Sequence, residues 1–234
     1  MLVVEPGANV SLETLVVTGG WANETASENG FGGGIAIQGG ATATLQNVVI
    51  AGNGATLLGG GILLFGAETV TIASSLVAAN LSFGSGAGLG SFGETGVTAL
   101  EVTSTSFSQN VATGAGFGGT GGAMFLQGTS TSVAESAFSQ NQALVTGDVL
   151  APAQGGAIYI NSGTLAIAAS DFFDNVARAT GGTIQPADIL GGAILNAAGE
   201  GAVRTVDVSF SGNEPDDIAV PSEGALPVAF DLFV

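Results

Sequence analysis

Two groups of carboxylates are the residues of this chain that could do chemistry. Asp171 and Asp174 flank Phe172 and Phe173, and Glu214, Asp216 and Asp217 crowd one short stretch. Paired carboxylates about 5 to 9.5 Å apart hydrolyse glycosides, one acting as acid and the other as base or nucleophile. Clustered acids at turns also suit a weak calcium site. The only cations are Arg178 and Arg204, so a polysaccharide lyase would have to draw its proton-abstracting base from those two.

The placement of these residues weighs against both reactions. Neither acidic group has a counterpart one repeat away, although Asp207 faces Asp171 if the register allows it. Arg204 falls at an outward strand position and Arg178 in a loop, where both read as solvated. With no His and no Cys, nucleophilic schemes built on Ser–His or Cys–His pairs are excluded. The reading is therefore of turn residues, with no catalytic residue, no metal and no cofactor; a polysaccharide-active lyase or glycoside hydrolase is the alternative.

What must position any site is a unit that recurs along the chain. A Gly-rich step enters an apolar pair, and about twenty residues on a large apolar residue stands three positions before an Asn. It runs from Gly33-Gly34-Ile35 to Ile50 and Asn53, from Gly60-Gly61-Ile62 to Val77 and Asn80, and from Gly86-Ala87-Gly88-Leu89 to Phe107 and Asn110. It continues from Gly121-Gly122-Ala123-Met124 to Phe138 and Asn141, from Gly155-Gly156-Ala157-Ile158 to Phe172 and Asn175, and from Gly191-Gly192-Ala193-Ile194 to Phe210 and Asn213. A fixed period in this range signals stacked units that bury a shared core.

Counting back from the large apolar residue, positions minus five and minus seven are mostly apolar (Leu45 and Ala43, Ile72 and Val70, Val102 and Leu100), which is the period of a half-buried strand. Positions minus six and minus eight carry Thr44 and Thr42, Thr71 and Thr69, Ser132 and Ser130, suited to an exposed pleated face. At minus three, Asn47, Ser74, Ser104, Glu135, Ala169 and Asp207 predict a bend that swings the next large residue inward. A second strand follows each Gly-rich step, as in Ile62-Leu63-Leu64.

These features predict a parallel β-helix of about seven coils: six repeats and an earlier, degenerate one at Val10-Ser-Leu12 and Val17-Thr-Gly-Gly20. Gly20 takes the Asn position there, and the first coil lies so near Met1 that no N-terminal cap is expected. Stacking predicts a core column of Ile50, Val77, Phe107, Phe138, Phe172 and Phe210. Beside it runs an amide ladder of Asn53, Asn80, Asn110, Asn141, Asn175 and Asn213. Residues 1–213 form the helix, and residues 214–234 a C-terminal capping or exchange strand in which Val228, Phe230, Leu232 and Val234 alternate as an assembly tail.

Composition narrows the partners. The formal charge is −17, from 19 acidic residues against two arginines. Nucleic acid and anionic membrane surfaces both need a basic footprint that is missing here. No apolar run reaches the roughly 18 to 20 residues that span a bilayer, and no signal peptide is recognised, so no direct membrane insertion is expected. Three surfaces remain. The outward column of the second strand, with Leu63, Phe125, Tyr159 and Leu195, reads as an apolar contact stripe unless other segments cover it. The segments after each Asn lengthen along the chain and read as solvated or binding loops. The Thr and Ser array resembles the ladders of ice-binding solenoids, though Ala99, Glu101, Ala166 and Arg204 interrupt it.

The paired motifs Gly-Gly-Ala-Ile and Phe-x-x-Asn resemble the repeat of the polymorphic outer membrane protein (Pmp) family of autotransporter passengers. The complete pair stands at Gly121 to Asn141, Gly155 to Asn175 and Gly191 to Asn213; Ile50 and Val77 replace Phe earlier. The resemblance implies a right-handed parallel β-helix displayed outside a cell or on its surface, non-enzymatic and acting in adhesion or as a surface or filament building block. It implies as partners another copy, joined head-to-tail or by tail exchange, or a host or cell-surface protein or glycan.

Overall fold

The computed structural model describes residues 1–23, 30–93, 98–114, 118–146, 152–180 and 189–219. It is all-β and winds as a right-handed parallel β-helix of about seven coils. Every strand pairing among the described residues is parallel and joins one coil to the next, so strands far apart in sequence become neighbours.

Five sheets run along the axis. Sheet A has eight strands, from Leu2–Val4 through Ile62–Phe65 and Met124–Gln127 to Ile218–Ala219. Sheet B has seven, from Asn9–Glu13 to Val203–Val206, and sheet C seven short ones, from Val16–Thr18 to Ser209–Ser211. Sheet D has six, from Trp21–Ala22 to Val176–Thr180, and sheet E three, from Gly119–Thr120 to Ile189–Leu190.

The corners follow from backbone conformation. Between sheets B and C, Asn47, Ser74, Ser104, Glu135, Ala169 and Asp207 all have φ between 46° and 53°. Between sheets C and D, Ala79, Gln109, Gln140 and Asp174 have φ between 51° and 56°, and Gly19, Gly52 and Gly212 share that corner. One left-handed residue between two extended runs turns the chain sharply, which is why Asn, Asp and Gly recur at these corners. Gly121, with φ 63°, opens the step into sheet A, where a Cβ would sit 2.0 Å from the Met124 carbonyl oxygen.

Inside, like residues stack on like. Ile50, Val77, Phe107, Phe138 and Phe172 are buried in one column, with Phe210 half-buried at its end. The rings of Phe107, Phe138, Phe172 and Phe210 stack at centroid separations of 5.1, 4.6 and 5.3 Å. These lie in the favourable range for aromatic pairs, at nearly the spacing between strands.

The reading of an exposed stripe on sheet A is corrected. Leu63, Phe125, Tyr159 and Leu195 are buried, and with Ala36, Leu58 and Phe92 they make a second apolar cluster on the outer side of sheet A. The physical cause is a return segment laid over the sheet, in which Phe31, Leu58, Ser85 and Thr120 bridge from coil to coil. Leu58 inserts where sheet A has Gly90: a Cβ at Gly90 would lie 2.4 Å from Leu58 Cγ. The segments after each Asn are also less loop-like than expected, because Gln142–Thr146 and Val176–Thr180 pair as strands of sheet D. Val228, Phe230, Leu232 and Val234 lie outside the described residues.

Candidate functional site

The carboxylates serve as turn and corner residues. Register places Asp171 opposite Ser209, whose hydroxyl donates to Asp171 Oδ1, and not opposite Asp207. Asp207 and Asp174 occupy left-handed corners. Glu214 pairs with Arg178 at 3.4 Å, but both side chains are exposed, so the pair adds little stability. Asp216 Oδ1 accepts the Gly191 backbone N–H at 2.7 Å, and Asp217 Oδ1 accepts from Asn213 Nδ2 at 2.9 Å. Arg204 is exposed beside Ala166. Among the described residues no three His, Cys, Asp or Glu side chains converge where they could hold a metal ion.

The amide ladder is continuous. Oδ1 of Asn80, Asn110, Asn141, Asn175 and Asn213 each accepts both the backbone N–H and the Nδ2 of the Asn one coil earlier, at 3.0 to 3.1 Å. The same Nδ2 groups donate their second hydrogen to the core-column carbonyl of the preceding coil, as Asn141 does to Phe107 at 2.9 Å. A buried amide costs stability only when left unpaired, and here both donors and the acceptor are used. Gly20 ends the column: its N–H donates to Asn53 Oδ1 at 2.9 Å, while a Cβ there would come within 2.1 Å of the Gly33 oxygen.

A second ladder escaped the sequence reading. Two positions before the core column, Ser75, Thr105, Ser136 and Ser170 are buried. Their hydroxyls accept the backbone N–H of the coil before, from Val48, Ser75, Thr105 and Ser136, at 3.1 to 3.3 Å. Each donates to a carbonyl two residues back at 2.7 to 2.8 Å. The signal was present as a recurring small hydroxyl, but Val48 and Val208 at the two ends break its pattern.

Two kinds of surface remain. The outward face of sheet B aligns Thr44, Thr71, Glu101, Ser132, Ala166 and Arg204 in one column and Thr42, Thr69, Ala99, Ser130 and Thr164 in the next. The charged members interrupt a regular hydroxyl array. The ends of the helix differ in kind, because the core is seen there in cross-section. Val10, Leu12, Leu15 and Val17 are only partly covered at one end, and Val203, Val208 and Phe210 at the other.

The two ends are not alike. At the first, sheets A, B and C all stop in the same coil, with Leu2, Val10 and Val17 facing Ile35, Ala43 and Ile50. At the far end sheet A runs one strand further, since Ile218–Ala219 pairs with Ile194–Asn196 beyond the last strands of sheets B and C. One end is flush and the other carries a step.

Comparison of the chain with protein-family models, with curated proteins and with solved structures finds no match. The class of molecule defined by fold and geometry is thus a parallel β-solenoid repeat protein.

Proposed function

We propose that this chain is a non-enzymatic extracellular β-helix that serves in adhesion or as a surface or filament building block, in the manner implied by its resemblance to Pmp-type repeats. The observation that carries the reading is the pair of partly uncovered core cross-sections at the two ends. Each coil inside the molecule already binds the next through four parallel ladders, a core column and an amide, and the flush end offers this same interface to a second copy. Unpaired strand edges beside apolar cross-sections favour association unless they are covered.

The step at the other end sets the condition for joining. A copy that seats its Val10 on Val203 and its Val17 on Phe210 brings its own Leu2–Val4 to the place held by Ile218–Ala219. End-to-end association therefore requires that strand to move aside, which couples assembly to release of residues 214–234. The test is mass by light scattering and shape by negative-stain microscopy, for the full chain and for residues 1–213. Stronger end-to-end association of the shortened chain is expected. Assembly of the full chain that vanishes on shortening would instead make the tail the connector, and two stable monomers at high concentration would sink the assembly reading.

A further inference from the structure

We propose that the outward face of sheet D, with the corner beside it, binds an extended neutral polysaccharide lying along the solenoid axis. This rests on the reading of the chain as a non-enzymatic surface β-helix and gives that reading a ligand class and a place.

Trp21, Gly54, Leu81, Val111 and Gln142 occupy one register column of sheet D. At one end the benzo half of the Trp21 indole fills the space above Gly54, where a Cβ would lie 2.1 Å from Cζ3. Phe83 meets it edge-on, with ring centroids 5.6 Å apart and planes at 70°. The two rings nonetheless stay 47% and 39% exposed. They are held in place by backbone and by each other, and still open to solvent.

Farther along the same column the surface becomes polar. Gln109, Val111, Gln140, Gln142 and Asp174 line an open depression of about 400 Å³. Gln109 Nε2 donates to Gln140 Oε1 at 3.2 Å across adjacent coils, which fixes one carboxamide against the next. Left-handed backbone at Gln109, Gln140 and Asp174 stands these side chains out at the corner.

This combination selects its ligand chemically. Carboxamides and a carboxylate offer paired donors and acceptors to vicinal hydroxyls. An exposed, supported aromatic pair offers apolar surface to the C–H faces of a sugar ring. A peptide would seek unpaired strand edges. The sheet D strands Leu81–Ser82 and Val111–Ala112 are already paired on both sides. A formal charge of −17 repels anionic chains, which leaves neutral ones. From Trp21 in the first coil to Asp174 in the sixth, five coil steps cover about 24 Å, enough for several sugar rings in an extended chain.

The chain has a single Trp, so its own emission reports on the aromatic end of the strip. Titration with cellohexaose, xylohexaose, laminarihexaose and chitohexaose is expected to give a saturable change in Trp21 emission with at least one of them. The double variant Gln140→Ala with Gln142→Ala lies well away from the indole and is expected to bind at least tenfold more weakly. Trp21→Ala, with unchanged circular dichroism, is expected to lose binding by calorimetry; should it unfold, the glutamine pair decides. Absence of a saturable response to all four sugars, an unchanged affinity in the glutamine variant, or an equal response to anionic oligogalacturonate would each overturn the proposal. Chromatography of the bound sugar separates the two readings: cleavage would uphold the strip while overturning the non-enzymatic function, and loss of end-to-end assembly would leave the strip untouched.

Discussion

Asn110 and Asn141 meet at a single oxygen: Oδ1 of Asn141 accepts the side-chain amide of Asn110 at 3.0 Å and its backbone N–H at 3.1 Å. One atom thus satisfies the donor that closes a corner and the donor that continues the column. Such sharing makes each Asn depend on the one in the next coil.

Replacing Asn141 with Ala leaves two donors on Asn110 and the Phe107 carbonyl without their partner. At roughly 1 to 3 kcal/mol for each unpaired buried group, a loss of about 3 to 5 kcal/mol is expected. Urea denaturation should show the midpoint falling with little change in slope. A loss below about 1 kcal/mol would mean that water enters the column and replaces the amide.

Ser136→Ala removes the acceptor of the Thr105 backbone N–H and the donor to the Ala134 carbonyl. The expected cost is about 1 to 3 kcal/mol, read from the same denaturation curves. Ser132→Ala, an exposed neighbour on sheet B, should change stability by less than about 0.5 kcal/mol and serves as the control.

Ala79 and Ala169 hold φ of 51° and 46° on exposed corners. Left-handed backbone costs a non-glycine residue about 1 to 2 kcal/mol, partly offset by the greater freedom of glycine when unfolded. Ala79→Gly and Ala169→Gly should therefore each raise stability by up to about 1 kcal/mol, a gain visible as a higher melting temperature. Neutral or lower values in both would show that the corners carry no such strain.

Gly90→Ala drives a methyl into Leu58, and overpacking of this kind costs about 1 to 3 kcal/mol. Leu58→Ala opens a cavity beneath the return segment and is destabilising by itself. Combined, the two changes relieve each other, so the double variant should be more stable than the sum of the single losses by at least about 0.5 kcal/mol. Additive losses would mean that the two positions do not touch in solution.

The solenoid could be read from sequence because each coil repeats the same solution to the same problem. Phe107, Phe138 and Phe172 recur at positions that must face inward, and Asn110, Asn141 and Asn175 at a corner where backbone donors must be met. The outer side of sheet A was misjudged because strict alternation assigns Leu63 and Tyr159 to solvent. Ile62-Leu63-Leu64 and Ile158-Tyr159-Ile160 are in fact continuous apolar runs, the mark of parallel strands buried on both faces. The Trp21–Phe83 pair and the glutamine corner were invisible for a different reason. Their partners come from different coils, and only the pairing register brings them into one line.

The amide ladder also gives the molecule an electrical direction. Every side-chain N–H in the column, from Asn53 to Asn175, points toward the next coil, so the amide dipoles add along the axis instead of cancelling. The positive pole emerges at Asn213, where the outermost N–H meets the Asp217 carboxylate. A negative charge at the donor end of aligned dipoles is the arrangement that stabilises helix N-termini. Asp217 therefore acts as the counter-charge that terminates a polar stack, and a partner arriving at that end must either keep the carboxylate or replace it with another oxygen.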